Sequence, residues 1–342
     1  MTCKIAGYLI ATALITSAAP AVAQTPRPWL VPDLVAAAKS EGSTLTIYAS
    51  MNEEEALPYW AIFEQATGIK VNFARMSDSN IRARIAIEHR AGQRSWDLVA
   101  TTPVYRIGND ILAQFDPPQA KDLIPQARDP NQRWYGYSGN YNTPAYNTTK
   151  VKPEELPKTY EEFLSRKQWA NRVAIDGTDN EWLKAIFEYY GEQRATELVK
   201  GIVSTLRPIL TDGHLAMARA TGAGEYAISL NNYVNLSMNV KLGGGAIDVW
   251  AMDPVALMFG QVGVSALAPN PNAARLAANF MLSQEAQQFI AKFGRLPTRS
   301  DVADNPPGTV AMLKKKTVIP VLLTPEEEKI WQRRFQELFR PR

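Results

Sequence analysis

The fold class is decided by residues 44–85, which read TLTIYASMNEEEALPYWAIFEQATGIKVNFARMSDSNIRARI. Residues 44–50 are apolar enough for a buried strand, and residues 53–66 carry apolar side chains at helical spacing. Residues 69–74 predict a second strand, and residues 81–91 predict a second helix. Strands that alternate with helices in this way are typical of parallel β-α-β units. We therefore expect an α/β fold with mostly parallel sheets flanked by helices.

The same alternation returns after an irregular middle section. Residues 114–170 contain seven prolines, which predicts connections rather than a core element. Beyond them we expect a long helix over residues 182–203 and a helix that begins at Pro271. The run Thr324-Pro325-Glu326-Glu327 forms a capping box that predicts the start of a C-terminal helix. Two α/β halves with irregular connections favour two lobes and a cleft between them.

Composition places the chain among ordinary globular proteins and excludes several functions. Its 342 residues are 46% hydrophobic and 21% charged, and the net charge of +3 gives no support to a nucleic-acid partner. One cysteine and two histidines are too few for a disulfide framework or a Cys/His metal cluster. We expect no cofactor.

The N-terminal segment is typical of a secretory signal peptide. Lys4 precedes an apolar run over residues 5–15, and Ala21-Val22-Ala23 form an A-x-A cleavage box. The apolar run is shorter than the roughly 20 residues that a membrane span needs. We expect residues 1–23 to be removed after Ala23 and the mature protein to reach the periplasm.

Polar residues that follow the predicted strands are the candidate ligand-binding positions, because ligands of open α/β sheets bind beyond the carboxyl ends of strands. Ser50 and Thr178 each begin a predicted capping box, so capping alone explains them as well as ligand contact does. The other candidates at strand ends are Asn52, Ser77, Thr102, Asp176, Asn232 and Tyr233.

Known catalytic templates do not fit the sequence. There is no P-loop or dinucleotide-binding glycine motif, and Leu267 replaces the second glycine that a nucleophile elbow at Ser265 would need. His89 and His214 are far apart and lack metal-like spacing. A secreted hydrolase that uses Asp176 and Asp179 remains only a remote alternative.

Several segments together resemble the solute-binding proteins of ABC importers, with the ferric-iron-binding proteins as the nearest branch. They are the run 44–85, EHRAG at 88–92 with WDLV at 96–99, AGEYA at 223–227, NNY at 231–233 and NFMLSQEAQ at 279–287. The resemblance implies a two-lobed type II periplasmic-binding-protein fold. Lobe 1 would comprise residues 24–137 and 254–342, lobe 2 residues 148–250, and the hinge crossovers residues 138–147 and 251–260.

The resemblance also implies a function without catalysis. A small-molecule ligand would be captured between the lobes, and the closed complex would deliver it to an ABC permease in the inner membrane. We expect a monomer that has no enzymatic activity.

The positions that hold iron in ferric-binding relatives carry other residues in this chain. The resemblance places a histidine, a glutamate, an arginine and a tyrosine pair of those relatives at Asn52, Thr102, Asn140 and Tyr233-Val234. Only Tyr233 keeps the residue type, and Fe³⁺ prefers several anionic oxygens. The neutral set favours a small organic anion or zwitterion, held partly by helix N-termini. Ferric-iron binding through Tyr233 is the alternative.

Overall fold

The computed structural model describes residues 27–339, so the predicted signal peptide lies outside the described residues. In this part of the chain, ten strands join into one continuous sheet. They are β1 (Thr44–Ala49), β2 (Lys70–Arg75), β3 (Leu98–Thr101), β4 (Trp134–Asn147), β5 (Val173–Asp176), β6 (Ile209–Thr211), β7 (Ile228–Tyr233), β8 (Ile247–Val249), β9 (Val255–Val264) and β10 (Val318–Pro320).

Helices cover both sides of this sheet, as the alternating sequence pattern predicts. They are α1 (Pro32–Glu41), α2 (Glu53–Thr67), α3 (Asp78–Arg90), α4 (Asn180–Tyr190), α5 (Glu192–Leu206), α6 (His214–Ala223), α7 (Val234–Leu242), α8 (Pro271–Met281), α9 (Gln284–Ala291), α10 (Thr309–Leu313) and α11 (Pro325–Phe339). The mixed α/β class is confirmed.

The sheet consists of two parallel halves joined by long antiparallel strands. Its order is β2-β1-β3-β9-β4-β7-β5-β6, with β10 beside β9 and β8 beside β4. Strands β1, β2 and β3 pair in parallel, and so do β5, β6 and β7. Strands β4 and β9 are antiparallel to each other, and each also borders one parallel half. We call the half built on β1–β3 with α1–α3, α8 and α9 lobe 1, and the half built on β5–β8 with α4–α7 lobe 2.

Each lobe has an aromatic core. In lobe 1, Trp29 and Phe63 pack around Phe280, and the ring centroids of Trp29 and Phe280 are 4.8 Å apart. In lobe 2, Trp182 packs against Tyr160, and its indole Nε1 donates a hydrogen bond to the Tyr160 hydroxyl at 3.1 Å. These cores hold the strand ends of each lobe in fixed positions.

Two local predictions about secondary structure are wrong. The helix expected over residues 182–203 is divided into α4 and α5 at Gly191, whose φ of 78° a side chain would disfavour. The proline-rich middle section contains the 14-residue strand β4. Pro144 fits there because it lies at a register shift between Thr143 and Ala145, where a ladder hydrogen bond is not required.

Within residues 27–339, the chain crosses between the lobes three times, whereas two crossovers were expected. After β4 and β9, residues beyond β10 lead to α11, which packs on lobe 2. The rings of Trp182 and Phe339 are 6.4 Å apart, and those of Phe187 and Trp331 are 5.3 Å apart. This packing differs from the expected assignment of residues 254–342 to lobe 1. The capping box that starts α11 is confirmed, because Thr324 and Glu327 exchange hydrogen bonds of 2.8 and 3.2 Å.

Candidate ligand-binding site

His214 lies between two carboxylates at the carboxyl end of the lobe 2 strands. Its Nε2 is 3.0 Å from Oδ2 of Asp179, and its Nδ1 is 3.6 Å from Oδ2 of Asp176. Burial lowers the pKa of His214, but Asp179 and Asp176 outweigh burial and raise the pKa above its usual value. The two carboxylates therefore favour the protonated form of the ring over the neutral one.

Tyr233 stacks on this imidazole at the start of α7. The two ring centroids are 4.0 Å apart and the planes differ by 17°. Burial raises the pKa of Tyr233 well above its usual value, and carboxylates from both lobes add to the effect, among them Asp179 in lobe 2 and Asp78 in lobe 1. Negative charge from both sides of the cleft thus converges on one phenol.

Asp176 and Asp179 are already occupied by hydrogen bonds within lobe 2. Asp176 accepts hydrogen bonds from the backbone N and the Oγ1 of Thr178, at 2.8 and 2.6 Å, and from the backbone N of Gly213 at 2.7 Å. Asp179 accepts from the backbone N of Trp182 and from the side chain of Asn142. These acids position the loop and His214, which gives no support to a hydrolase with a free carboxylate pair.

The structure corrects both capping boxes that were predicted at strand ends. The N-cap of α4 is Asp179 rather than Thr178, whose hydroxyl turns back to Asp176. The N-cap of α2 is Asn52, without a side-chain hydrogen bond, and Ser50 contributes its backbone N–H to the carbonyl of Ala100. In each case the N-cap lies one or two residues later in the chain than the sequence pattern indicated.

The lobe 1 side of the cleft presents small polar groups and one acid. Ser77 caps α3 by accepting a hydrogen bond from the backbone N of Asn80 at 3.4 Å. The next residue, Asp78, accepts from the Thr101 hydroxyl. On the crossover strand β4, the Nδ2 of Asn140 is 3.5 Å from Oγ1 of Thr102.

Arg106 links this side to lobe 2. It lies in a short 3-10 helix (Val104–Arg106) after β3, and its guanidinium is 2.9 Å from Glu181 of α4 and 2.8 Å from Glu328 of α11. Burial raises the pKa of Glu181 to about 7, and neighbouring Asp179 adds to this, although Arg106 opposes it. The contact joins the two lobes directly.

The predicted candidates therefore fall into separate groups. Asp176, Thr178 and Tyr233 converge with His214, while Thr102 and Asn140 meet on the opposite side. Asn232 is fully buried, donates to Ser229 at 3.3 Å and leaves its Oδ1 without a partner. Asn52 has no side-chain cap bond, and Ser77 caps α3 and lies with its hydroxyl 3.2 Å from that of Ser79.

Sequence reasoning missed His214, Arg106 and Glu181. His214 follows β6, a three-residue strand too short to be recognised, and nothing in the local sequence connects it with Asp179, 35 residues earlier. Arg106 and Glu181 meet only through the approach of the lobes.

Several acids surround the two cationic side chains described above. Arg106 and His214 each lie between two carboxylates. The acids around them are Asp78, Asp176, Asp179, Glu181 and Glu328. Among residues 27–339, no three His, Cys, Asp or Glu side chains are grouped in a way that could hold a metal ion. In the same range, no helix is both long and apolar enough to cross a membrane.

Comparison with known proteins finds one family model and several relatives. The model for bacterial extracellular solute-binding proteins matches residues 105–319, more than half of the chain. Iron uptake protein A1 from Synechocystis sp. is 27% identical over 279 residues, which cover 75% of this chain and 76% of that protein.

Two solved structures share the fold. Iron-bound HitA from Pseudomonas aeruginosa superposes with a TM-score of 0.71 at 22% identity, over 86% of this chain and 99% of that one. AfuA from Actinobacillus pleuropneumoniae, with exogenous fructose-6-phosphate bound, gives a TM-score of 0.72 at 18% identity, over 88% of this chain and 100% of that one. At these identities the likeness establishes the fold alone.

Proposed function

The chain belongs to the family of bacterial extracellular solute-binding proteins, and on this basis we propose that it is the periplasmic substrate-binding protein of an ABC importer. It would capture a solute between its lobes and deliver it to an inner-membrane permease as a monomer, without chemical change. The sequence of residues 1–23 supports export.

We propose that the cargo is positively charged. The observation that carries this is the group of carboxylates around Tyr233, where His214 and Arg106 are already paired with carboxylates. A free organic anion would meet net negative charge there, so the charge of the cleft opposes the anionic cargo expected from the sequence. A cation would instead compensate the buried carboxylates.

Ferric iron is the first candidate, with Tyr233 as a direct ligand. The acids raise the pKa of the Tyr233 phenol. A bound trivalent ion would have the opposite effect, because its positive charge dominates the site and favours the tyrosinate. Fe³⁺ also prefers hard, anionic oxygen ligands. The name of iron uptake protein A1 supports the same cargo.

The test uses the visible absorption that tyrosinate gives when it binds Fe³⁺. Protein freed of bound ligand by unfolding and refolding is titrated with ferric citrate, and we expect a visible band that saturates at one iron per chain. Tyr233→Phe should remove the band. Tyr189→Phe is the matched control, because Tyr189 is 42% exposed on α4 and should leave the band unchanged. A colourless wild-type protein, or a band that survives in Tyr233→Phe, would refute iron binding through this residue.

An organic cation is the second candidate, and unpaired amide oxygens favour it. Oδ1 of Asn142 and Oδ1 of Asn232 are buried without a hydrogen-bond partner, and both can accept N–H groups. A thermal-shift screen of protonated amines separates the candidates, since ligand at about 100 times its Kd adds roughly 2.7 kcal/mol of stability. A stabilising amine without any ferric band would select this candidate.

A further inference from the structure

The third crossing between the lobes forms a strap over residues 318–324, from β10 to the residue before α11. Strand β10 pairs in parallel with the crossover strand β9, and the backbone N of Val321 donates to the carbonyl of Leu257 at 2.9 Å. Val321 and Leu323 are buried in one cluster with Ala185 of α4. The strap is therefore fixed to the hinge on one side and to lobe 2 on the other.

Two adjacent lobe 1 residues hold this strap by its backbone. The Tyr105 hydroxyl accepts a hydrogen bond from the N–H of Leu323 at 2.9 Å, and the Nε of Arg106 donates to the carbonyl of Leu323 at 3.1 Å. Lobe 1 side chains thus form hydrogen bonds with both the backbone N–H and the backbone carbonyl of Leu323.

Arg106 uses the rest of its guanidinium for lobe 2 and α11. Its Nη2 is 2.9 Å from Glu181 and its Nη1 is 2.8 Å from Glu328, while its side chain is only 6% exposed. A guanidinium holds several acceptors in a fixed planar arrangement, and breaking a buried pair costs far more than breaking an exposed one. One side chain therefore connects lobe 1, lobe 2 and the strap.

We propose that Arg106 is a positioning residue that latches the lobes together without any cargo between them. Leu323, Glu181 and Glu328 supply acceptors for the guanidinium, so the chain's own groups suffice to form this contact. The closed arrangement is then populated in the empty protein, and cargo selects and stabilises it rather than creating it. This inference does not depend on the identity of the cargo.

The test measures the distance between spin labels on the two lobes. Residues 27–339 contain no cysteine, so the full chain with Cys3→Ser provides a cysteine-free background. Labels are attached at Ala83→Cys on α3 and Lys200→Cys on α5, both of which are exposed. The protein is refolded from denaturant to remove bound ligand before the distance distribution is recorded.

We expect a short-distance population in the parent and its loss, with a shift to longer distances, in Arg106→Gln. Arg84→Gln is the matched control, since Arg84 and Glu88 form an ion pair of 2.7 Å entirely within α3, and it should keep the parent distribution. Glu328→Gln removes one partner of Arg106 at a partly exposed site and serves as the second variant if Arg106→Gln does not fold. We expect it to shift the distribution in the same direction.

Three results would overturn the proposal. The first is a parent that shows only long distances when empty, because the latch would then not close the protein. The second is an unchanged distribution in a folded Arg106→Gln protein, or in Glu328→Gln where that variant takes its place. The third is an equal shift in Arg84→Gln, which would show that loss of any arginine has this effect. A melting temperature close to that of the parent confirms that a shifted variant is folded.

Discussion

Substitution of Gly294 by alanine should hold the lobes apart. Gly294 follows α9 in lobe 1, and a Cβ there would lie 3.1 Å from the backbone N of Asn239, 3.1 Å from Cβ of Met238 and 3.2 Å from the carbonyl O of Asn235. All three belong to α7 of lobe 2. Two of these atoms are backbone, so relief requires α7 and the turn to separate.

The magnitude follows from two contributions. The φ of 81° at Gly294 costs a side chain about 1 kcal/mol whether the lobes are open or closed. Overpacking against α7 raises the free energy of the closed state by about a further 1–2 kcal/mol. Since 1.4 kcal/mol is a tenfold change, we expect the ratio of closed to open protein to fall roughly 5- to 30-fold.

Gly68→Ala is the control that separates these contributions. Gly68 follows α2 with a φ of 76°, and nothing lies within 4 Å of its hypothetical Cβ. Both variants should lower the melting temperature, but only Gly294→Ala should lengthen the distance between labels at positions 83 and 200. If the two variants give the same distance distribution, the contact of Gly294 with α7 does not resist closure and the reasoning fails.

Three further predictions concern protonation, a buried histidine and a helix cap. Because burial raises the pKa of Glu181 from 4.5 to about 7, the folded protein retains a proton that the unfolded chain releases. The contribution of Glu181 to the free energy of unfolding should therefore fall as pH rises from about 4.5 to 7. Urea titrations across this range should show that Glu181→Gln removes that contribution, and an identical pH dependence in both proteins would contradict it. His214→Gln should cost about 1–3 kcal/mol by removing the contacts of the buried His214 with Asp176 and Asp179. By comparison, His89→Gln, beside the exposed Asp110, should change the melting temperature little; equal losses would show that the contacts of His214 with the two acids do not stabilise the fold. Thr324→Ala should cost about 0.5–2 kcal/mol by removing the cap of α11, and Ser50→Ala, which caps nothing, should cost clearly less in the same denaturant titration.

The elements that local sequence determines were predictable. The start of α8 at Pro271 follows from the fixed φ of proline, and the start of α11 follows from a capping box that needs only two residues three apart. The break at Gly191 was missed because apolar spacing continues across it, although the backbone turns there. The spacing of apolar residues shows which face of a helix is buried, but it does not show whether the helix continues without a break.

The site was only partly predictable, because its charges come from distant parts of the chain. Tyr233 and Asp176 could be found at strand ends, since parallel strands bring their carboxyl ends to one edge. The charge of the cleft could not be predicted in this way, because His214 and Arg106 meet their partners only after folding. The amide-rich loops therefore indicated a neutral site, whereas the folded cleft is acidic.

Because the described chain crosses between the lobes three times, its two ends lie on different lobes. Arg27 lies beside Glu285 of lobe 1, whereas Phe339 packs on Trp182 of lobe 2. Any change in the angle between the lobes must therefore change the separation of these ends. Fluorescent donor and acceptor proteins fused next to Arg27 and Phe339 would report opening and closing in living cells, without an insertion into either lobe.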